Sequence, residues 1–185
     1  MTENSKETKK MLTIPFEKLI VKTHALWDEQ NLVLASGDFK AGHFNFMTVG
    51  WGSLGTMWSL PFAQVVVRPT RYTYEFMEKY ETFTLCAFAA ENHKKLQIIG
   101  STSGRRTDKV KASGITPCPA RIVAAPVFQE AELQIECRKI YWSDMEPSHF
   151  LKDDIAKNYN GHDYHRIYFG EIVAITGTEK YLARD

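Results

Sequence analysis

The sequence predicts a mainly β single domain that closes into a small barrel, with short helices in the connections. About seven strand-like apolar runs are spread along the chain, whereas every helical pattern is short. The 185 residues are enough for one domain with a sizeable core. Closing so many strands into a barrel is an economical way to remove exposed sheet edges.

The amino-terminal third is predicted to be mostly extended. A short strand lies within residues 11–22, and a loop follows around residues 24–30. Residues 31–35, beginning at Asn31, pair with residues 44–51 in a hairpin that turns over residues 37–42.

Residues 50–61 are predicted to be a loop, because residues that break regular structure are dense there. These are Gly50, Gly52, Gly55 and Pro61. Residues 62–68 form the next strand, whose three consecutive valines at 65–67 do not alternate with polar residues. This strand is therefore predicted to be buried on both faces.

A short helix follows this strand. Pro69 ends the strand, and Thr70 or Thr73 can cap a helix over residues 71–80. Residues 83–89 are predicted to return to a strand, and residues 94–99 to form a helical turn or two.

The second half begins with a polar loop over residues 100–109 and a helix near residues 108–112. Residues 131–142 alternate apolar and polar side chains until the parity flips at Ile140 and Trp142, which predicts a bulge near Arg138–Lys139. A helix over residues 147–159, with Ser148 as a possible cap, and a long strand over residues 164–176 complete the prediction.

Composition excludes several classes of protein. Twenty-three basic and 22 acidic side chains leave a net charge of +1, which gives no support for a nucleic acid or an anionic membrane as partner. The three cysteines have neither zinc-ligand nor disulfide-framework spacing, so no metal site is expected and a reducing cytoplasm fits. Residues 1–10 are charged, unlike a signal peptide, and are predicted to be a mobile tail ahead of a domain over residues 11–185.

The segment from Asn45 to Thr73, NFMTVGWGSLGTMWSLPFAQVVVRPTRYT, suits a flat, phosphorylated ligand. Glycines let backbone N–H groups approach a ring edge, and Trp51 and Trp58 offer planar walls. Arg68, Arg71 and the start of a helix supply the donors that a phosphate needs. The alternative is an ordinary strand–loop–strand with core tryptophans and solvated arginines. An unpaired guanidinium after a buried strand would be costly, however, so Arg68 is predicted to have an anionic partner.

The polar loop GSTSGRRTDK offers a second contact to a phosphate. Its hydroxyls, backbone N–H groups and cations come from Ser101, Ser103, the backbone near Gly104, and Lys109. The alternative for this loop is a solvated surface connection.

Four ordered motifs together resemble the flavin reductase-like, FMN-binding split-barrel family, and in particular its flavoredoxin-like branch. They are NFMTVGWGSLGTMW, VRPTRYT, GSTSGRRTDKVKASGITP and DYHRIYFGEIV. The resemblance runs from about residue 31 to residue 173. It implies a split β-barrel that forms a homodimer, with one FMN per subunit near the dimer interface.

The resemblance also implies roles for individual residues. The strand along the flavin ring corresponds to Asn45, Met47, Thr48, Val49, Gly50, Trp51 and Gly52. The phosphate end corresponds to Arg68, Arg71, Tyr72 and Thr73, with Ser101, Ser103 and Lys109 on the loop that closes over it. His165 matches the position of a catalytic histidine, although from the residues alone it is equally a satisfied interface histidine.

The function implied is an oxidoreductase in which NADH or NADPH gives a hydride to FMN, and the electrons pass to a small molecule or a redox partner protein. The chief alternative is a non-catalytic FMN-binding electron-transfer protein with no nicotinamide site. A weaker alternative is a split barrel that holds haem, although no histidine stands out as an axial ligand.

Two further expectations concern packing. Apolar residues on both faces of residues 65–67 and 140–142 predict that a second copy covers this surface. If the backbone of Gly50–Gly52 lies against the flavin ring, Gly52→Val should lower flavin content while leaving the barrel folded.

Overall fold

The computed structural model describes residues 9–30, 32–159 and 161–184. The strands are β1 (Leu12–Thr13), β2 (Leu32–Asp38), β3 (His43–Val49), β4 (Gly52–Met57), β5 (Leu60–Val67), β6 (Thr82–Phe88), β7 (Pro117–Pro119), β8 (Pro126–Phe128), β9 (Ala131–Asp144) and β10 (Arg166–Gly177). The α-helices are α1 (Thr23–Asp28), α2 (Tyr72–Lys79), α3 (His93–Ser101), α4 (Lys109–Ser113) and α5 (Asp153–Ala156). Asn31 and residues 1–8 of the predicted tail lie outside the described residues.

The main sheet is an antiparallel barrel that is open along one seam. Its strands follow the order β3-β2-β6-β9-β10-β5-β4, and β1 pairs with β10. The two ends of this path, β3 and β4, follow each other in the chain but do not pair. The predicted mainly β fold with short connecting helices is therefore confirmed, and the seam makes it a split barrel.

The hairpin predicted from residues 31–35 and 44–51 is confirmed as the β2–β3 pair. The loop predicted over residues 50–61 is wrong, because these residues form β4 and the beginning of β5. Trp58 and Ser59 take φ values of 54° and 59°, so two residues other than glycine make the tight turn. Pro61 is tolerated because it lies just before the part of β5 that pairs with β10.

The short helices predicted over residues 71–80, 94–99 and 108–112 are confirmed as α2, α3 and α4. Predictions for two other connections are wrong. Residues 24–30 are largely helical rather than a loop, since α1 buries Leu26 and Trp27. The continuous helix predicted over residues 147–159 is instead a 3-10 turn at Pro147–His149 and the short α5. Ser148 does not cap it; the Glu146 carboxylate accepts a hydrogen bond from the Ser148 N–H.

The cap predicted for α2 is also wrong. Arg71 occupies the N-cap position and makes no side-chain cap hydrogen bond. Thr73 Oγ1 accepts a hydrogen bond from Asn45 Nδ2 at 2.8 Å. The threonine therefore joins α2 to β3 instead of starting the helix.

Strand β9 carries the predicted bulge, at Ile140. Lys139 pairs with Gly170 and Tyr141 pairs with Phe169, so Ile140 has no partner on β10. Ile140, Tyr141 and Trp142 are 36%, 48% and 53% exposed. Residues 65–67, in contrast, are buried within the single chain. The apolar surface that a second copy could cover therefore lies on β9 and excludes the three valines.

Gly52 packs against the core and does not face a ligand site. A Cβ atom there would lie 2.3 Å from the carbonyl oxygen of Gln64 and 2.5 Å from the Trp27 ring. Trp27 is itself 6% exposed. The expectation that Gly52→Val leaves the barrel intact is therefore wrong, because the space is already filled.

We predict that Gly52→Ala lowers the free energy of unfolding by about 2–3 kcal/mol, because the added carbon overpacks a filled site. Gly55→Ala on the same strand is the matched control, since its Cβ atom would meet only the Phe62 ring, at 3.2 Å. Urea unfolding of both variants measures the difference. Equal stability of the two variants would contradict this packing.

Candidate functional site

Two adjoining cavities lie along β3, beside the open seam of the barrel. The inner cavity has a volume of about 150 Å³, and its lining includes Asn45, Met47, Thr48, Thr70, Arg71, Tyr72, Thr73, Gly100, Ser101, Thr102, Ser103, Gly104 and Lys109. The outer cavity, of about 280 Å³, is lined by Met47, Thr48, Val49, Gly50, Trp51, Val66, Arg68, Arg71 and His165. Met47, Thr48 and Arg71 belong to both, so one elongated ligand could occupy the two cavities together.

The wall of the inner cavity is built by close contacts between β3, α2 and α3. Asn45 and Thr73, both buried, are joined by their hydrogen bond. A Cβ atom at Gly100 would lie 2.7 Å from Thr48 Oγ1, so α3 approaches β3 more closely than a side chain would allow. These contacts between β3, α2 and α3 fix the shape of the inner cavity.

Two cations line the inner cavity. Lys109 is 6% exposed, and its Nζ donates to the carbonyl oxygen of Phe46 at 2.7 Å. Burial, together with the nearby positive charge of Arg71, lowers the pKa of Lys109 to about 8. Within the described residues, no carboxylate lies within ion-pairing distance of Lys109 or Arg71. A buried ammonium beside a second cation, with no internal counterion, fits an anionic ligand.

The loop over residues 102–108 is fastened to the beginning of α2 by Arg105. Its guanidinium donates to the Thr70 carbonyl oxygen at 3.1 Å and to Glu75 at 2.5 Å. It also lies over the Tyr72 ring, 5.0 Å from the centroid. Arg105 therefore holds the loop in place, and Ser103 and Gly104 on that loop line the inner cavity.

The outer cavity presents an exposed indole and a buried imidazole. Trp51 is 50% exposed and lies 5.1 Å from the His165 ring, centroid to centroid. His165 Nδ1 shares a hydrogen bond of 2.8 Å with the Tyr159 hydroxyl. Burial and the positive charge of Arg68 lower the pKa of His165 to about 4, so its ring is neutral at neutral pH. It can exchange hydrogen bonds with a ligand but carries no charge.

Arg68 has the anionic partner that the sequence predicted, but this partner is Asp163 of the same chain. The two side chains form an ion pair of 2.9 Å, and Arg68 also donates to the Asn158 carbonyl oxygen at 2.6 Å. Its guanidinium lies over the Tyr159 ring at 5.0 Å. Arg68 therefore ties the connection between β9 and β10 to the site, and contact with a phosphate stays a prediction.

All of the predicted site residues except Gly52 line one or both cavities. Residues that sequence reasoning did not single out also line them: Val66, Thr70, Ile99, Gly100 and Thr102. Of these, Gly100 opens the predicted polar loop, and its close approach to Thr48 follows from the packing of α3 on β3, which no local pattern shows. Thr70 and Thr102 belong to the predicted segments, but nothing in their spacing marks them.

Within the part of the chain that the structure describes, no cluster of metal-binding side chains is found. Among the same residues, no helix has the length and apolar character needed to cross a membrane.

The open antiparallel barrel, with a cation-lined cavity beside its seam, defines a split-barrel protein. A family model described as flavin reductase like domain matches residues 29–183. The chain therefore belongs to the flavin reductase like domain family, as the four motifs predicted.

Solved structures share the fold. An FMN-binding domain of a flavin reductases-like enzyme from Shewanella baltica matches with a TM-score of 0.65 and 15% identity, over 92% of this chain and 78% of that chain. Flavoredoxin of Desulfovibrio vulgaris (Miyazaki F) matches with a TM-score of 0.64 and 21% identity, over 87% and 73%. Flavoredoxin from Methanosarcina acetivorans gives 0.61 and 25%, over 83% and 72%.

We predict that Arg68→Ala raises the pKa of His165 from about 4 toward its ordinary value of 6.5, because a repelling cation is lost and Asp163 remains nearby. NMR titration of the His165 ring, assigned with His165→Gln, measures this. Arg106→Ala, a change on the exposed loop, is the control. A His165 pKa that stays near 4 in Arg68→Ala would show that Arg68 does not set its environment.

Proposed function

We propose that this chain is an FMN-binding oxidoreductase that accepts a hydride from NADH or NADPH and passes electrons to an acceptor. The observation that carries the proposal is the buried Lys109 ammonium beside Arg71, with no carboxylate of the described residues within ion-pairing distance of either cation. Membership of the flavin reductase like domain family and the FMN-binding proteins among its structural neighbours support the choice of flavin. FMN would supply the hydride and electron chemistry when bound.

In this proposal the inner cavity holds the phosphate. Arg71 and Lys109 neutralise its charge, and Ser101 and Ser103 add hydroxyl donors. Ser101 donates to the Gln97 carbonyl oxygen at 2.8 Å, so its hydroxyl would have to leave this carbonyl to donate to the phosphate, whereas the Ser103 hydroxyl only accepts, from the Arg105 N–H at 3.3 Å. Asn45 and Thr73 hold the wall against which the ligand rests.

The outer cavity receives the ring. The backbone of Thr48–Trp51 lies along one side, where its fixed dipoles would stabilise negative charge that develops on the ring. Trp51 leaves an apolar, half-exposed surface beside it for a nicotinamide or an acceptor. His165 is neutral and positioned by Tyr159, so its role is to orient a substrate through a hydrogen bond rather than to supply a proton at neutral pH.

The active form in this proposal is a cytoplasmic homodimer. Trp58 is 58% exposed and forms an aromatic group with Tyr141 and Phe169, with ring centroids 5.9 and 6.1 Å away. This aromatic group lies on one face of β9 and β10 and is the surface that a second copy would cover; Trp142 pairs with the buried Tyr168 and lies on the opposite face. A stable monomer at micromolar concentration in light scattering would rule out the dimer.

The test of the function is steady-state oxidation of NADH and NADPH with added FMN and an electron acceptor such as ferric iron or a quinone. The proposal expects turnover that depends on both protein and flavin. Bound FMN without oxidation of either nicotinamide would contradict the oxidoreductase and favour the electron-transfer protein.

We predict that FMN binds more tightly than riboflavin and that Arg71→Ala lowers FMN affinity on the order of tenfold or more. A charge-assisted hydrogen bond to phosphate contributes about 1.5–3 kcal/mol. Arg106→Ala is the matched control, because that arginine is exposed on the loop, lines neither cavity and should change FMN affinity far less. Flavin fluorescence titration measures the affinity of the wild-type protein and of both variants. Equal affinity for riboflavin and FMN would show that the phosphate assignment is wrong.

The low pKa of Lys109 predicts a pH dependence. Without ligand its pKa is about 8, and a bound phosphate dianion would raise it. Near pH 9 the free side chain is mostly neutral and the bound one protonated, so binding should take up a proton. Affinity should then fall by up to about tenfold per pH unit above pH 8.

Calorimetry at that pH in two buffers of different ionisation enthalpy counts the protons taken up. Lys109→Met should bind FMN more weakly and take up none. Wild-type protein that binds FMN with no proton uptake would contradict a Lys109–phosphate contact.

A further inference from the structure

Tyr159 lies beside the outer cavity without lining it. The residue is 8% exposed, and three side chains pack against its ring, with centroid distances of 5.0, 6.0 and 4.7 Å: the Arg68 guanidinium, Phe150 and Tyr164. These contacts hold the ring in one position. Its hydroxyl therefore presents a fixed hydrogen-bonding group to His165.

The Tyr159 hydroxyl has one proton and two acceptors within reach. His165 Nδ1 lies at 2.8 Å and Met145 Sδ at 3.4 Å. A thioether sulfur is a weak acceptor, so the unprotonated nitrogen of a neutral imidazole takes the proton in preference to it. Because the His165 ring is neutral at neutral pH, its own proton then lies on Nε2.

Nε2 is the ring nitrogen that a ligand can reach. Among the described residues it has no hydrogen-bond partner, and it is not one of their fully buried unpaired polar atoms, so solvent has access to it. His165 lines the outer cavity beside the half-exposed Trp51, whose ring lies 5.1 Å away. The Nε2–H group thus offers one hydrogen-bond donor next to a flat apolar surface.

We propose that Tyr159 is a positioning residue that keeps His165 as a hydrogen-bond donor, so that the outer cavity selects planar ring compounds that carry a carbonyl oxygen. A carbonyl oxygen pairs with Nε2–H, whereas a ligand that presents a donor there leaves both donors unpaired. The inference rests on the proposed function. Two kinds of substrate for that reaction carry such a carbonyl: the carboxamide of a nicotinamide and the ring carbonyl of a quinone.

The first experiment measures the tautomer of His165 by nitrogen NMR and needs neither flavin nor turnover. The two ring nitrogens resonate far apart according to which one carries the proton, and His165→Gln assigns them. We expect the proton on Nε2, and an Nδ1 resonance that shifts when Tyr159→Phe removes its partner. Tyr164→Phe is the matched control, because that hydroxyl has no hydrogen-bond partner among the described residues. A proton on Nδ1 in wild-type protein would overturn the proposal.

The second experiment identifies which substrate carries the carbonyl. The ratio kcat/KM is measured for the nicotinamide and for the electron acceptor, with a benzoquinone and with ferricyanide, which has no carbonyl oxygen. Tyr159→Phe should lower one ratio about fivefold, since a neutral hydrogen bond is weakened. A loss for the nicotinamide with both acceptors assigns the contact to the carboxamide. A loss confined to the quinone assigns it to the quinone carbonyl.

A double variant shows whether Tyr159 acts through His165. His165→Gln supplies an amide donor that needs no neighbouring hydroxyl, so adding Tyr159→Phe to it should change neither ratio. An equal loss from Tyr159→Phe in both backgrounds, or no loss for any substrate, would overturn the positioning role and leave the proposed function standing.

Wild-type protein that oxidises neither NADH nor NADPH would overturn the proposed function and the selection of substrate with it. The tautomer measurement would still decide how Tyr159 acts on His165. A thermal midpoint for each variant shows that the comparisons are made between folded proteins.

Discussion

The burial of the Lys109 ammonium beside Arg71 is the constraint on which this site depends. The Lys109 side chain is almost completely buried, and its ammonium group donates a hydrogen bond to one backbone carbonyl. The neighbouring Arg71 guanidinium further disfavours its charge. Such an arrangement costs stability unless something negative completes it. The surrounding fold holds it: the Phe46 carbonyl comes from β3, and α4 begins at Lys109. The buried charge therefore lowers the stability of the folded protein, and an anion bound in the cavity would reduce that cost.

The seam of the barrel makes room for this site. Because β3 does not pair with β4, the edge of β3 is free to face a ligand along Met47–Trp51. Two close contacts fix the elements beside the seam. Gly52 at the beginning of β4 rests on Trp27, and Gly100 on α3 rests on Thr48. Both glycines therefore act in packing that shapes the site, and Gly52 does so without facing it.

Two arginines near each other in the chain illustrate how far sequence reasoning reaches. Both Arg68 and Arg71 were predicted at the phosphate end, and both line the outer cavity. The sequence correctly predicted an anionic partner for Arg68, but that partner lies 95 residues away in the chain, so no local pattern could reveal it. The burial of Lys109 was equally invisible, because it depends on where a polar loop docks. The four ordered motifs, in contrast, predicted site residues that nearly all line the two cavities.

The fold shows the same division. The alternation of apolar and polar side chains along residues 131–142 predicted β9 and its bulge, because this pattern can be read from neighbouring residues alone. Residues 50–61 were predicted to be a loop because they are rich in glycine and proline. They form strands instead, because Trp58 and Ser59 adopt the positive φ values that are usual for glycine and make a tight turn. Tertiary packing of the Trp58 ring with Tyr141 and Phe169 accompanies this turn. Propensity therefore failed where contacts between distant strands decide the conformation.

A crystal structure of the chain soaked or grown with FMN tests the central claim most directly. The account predicts phosphate oxygens within hydrogen-bond distance of Lys109 Nζ and the Arg71 guanidinium, with the ring along Met47–Trp51 and Arg68 still paired with Asp163. A phosphate bound to Arg68 with the Asp163 pair broken, or a flavin outside the two cavities, would contradict it.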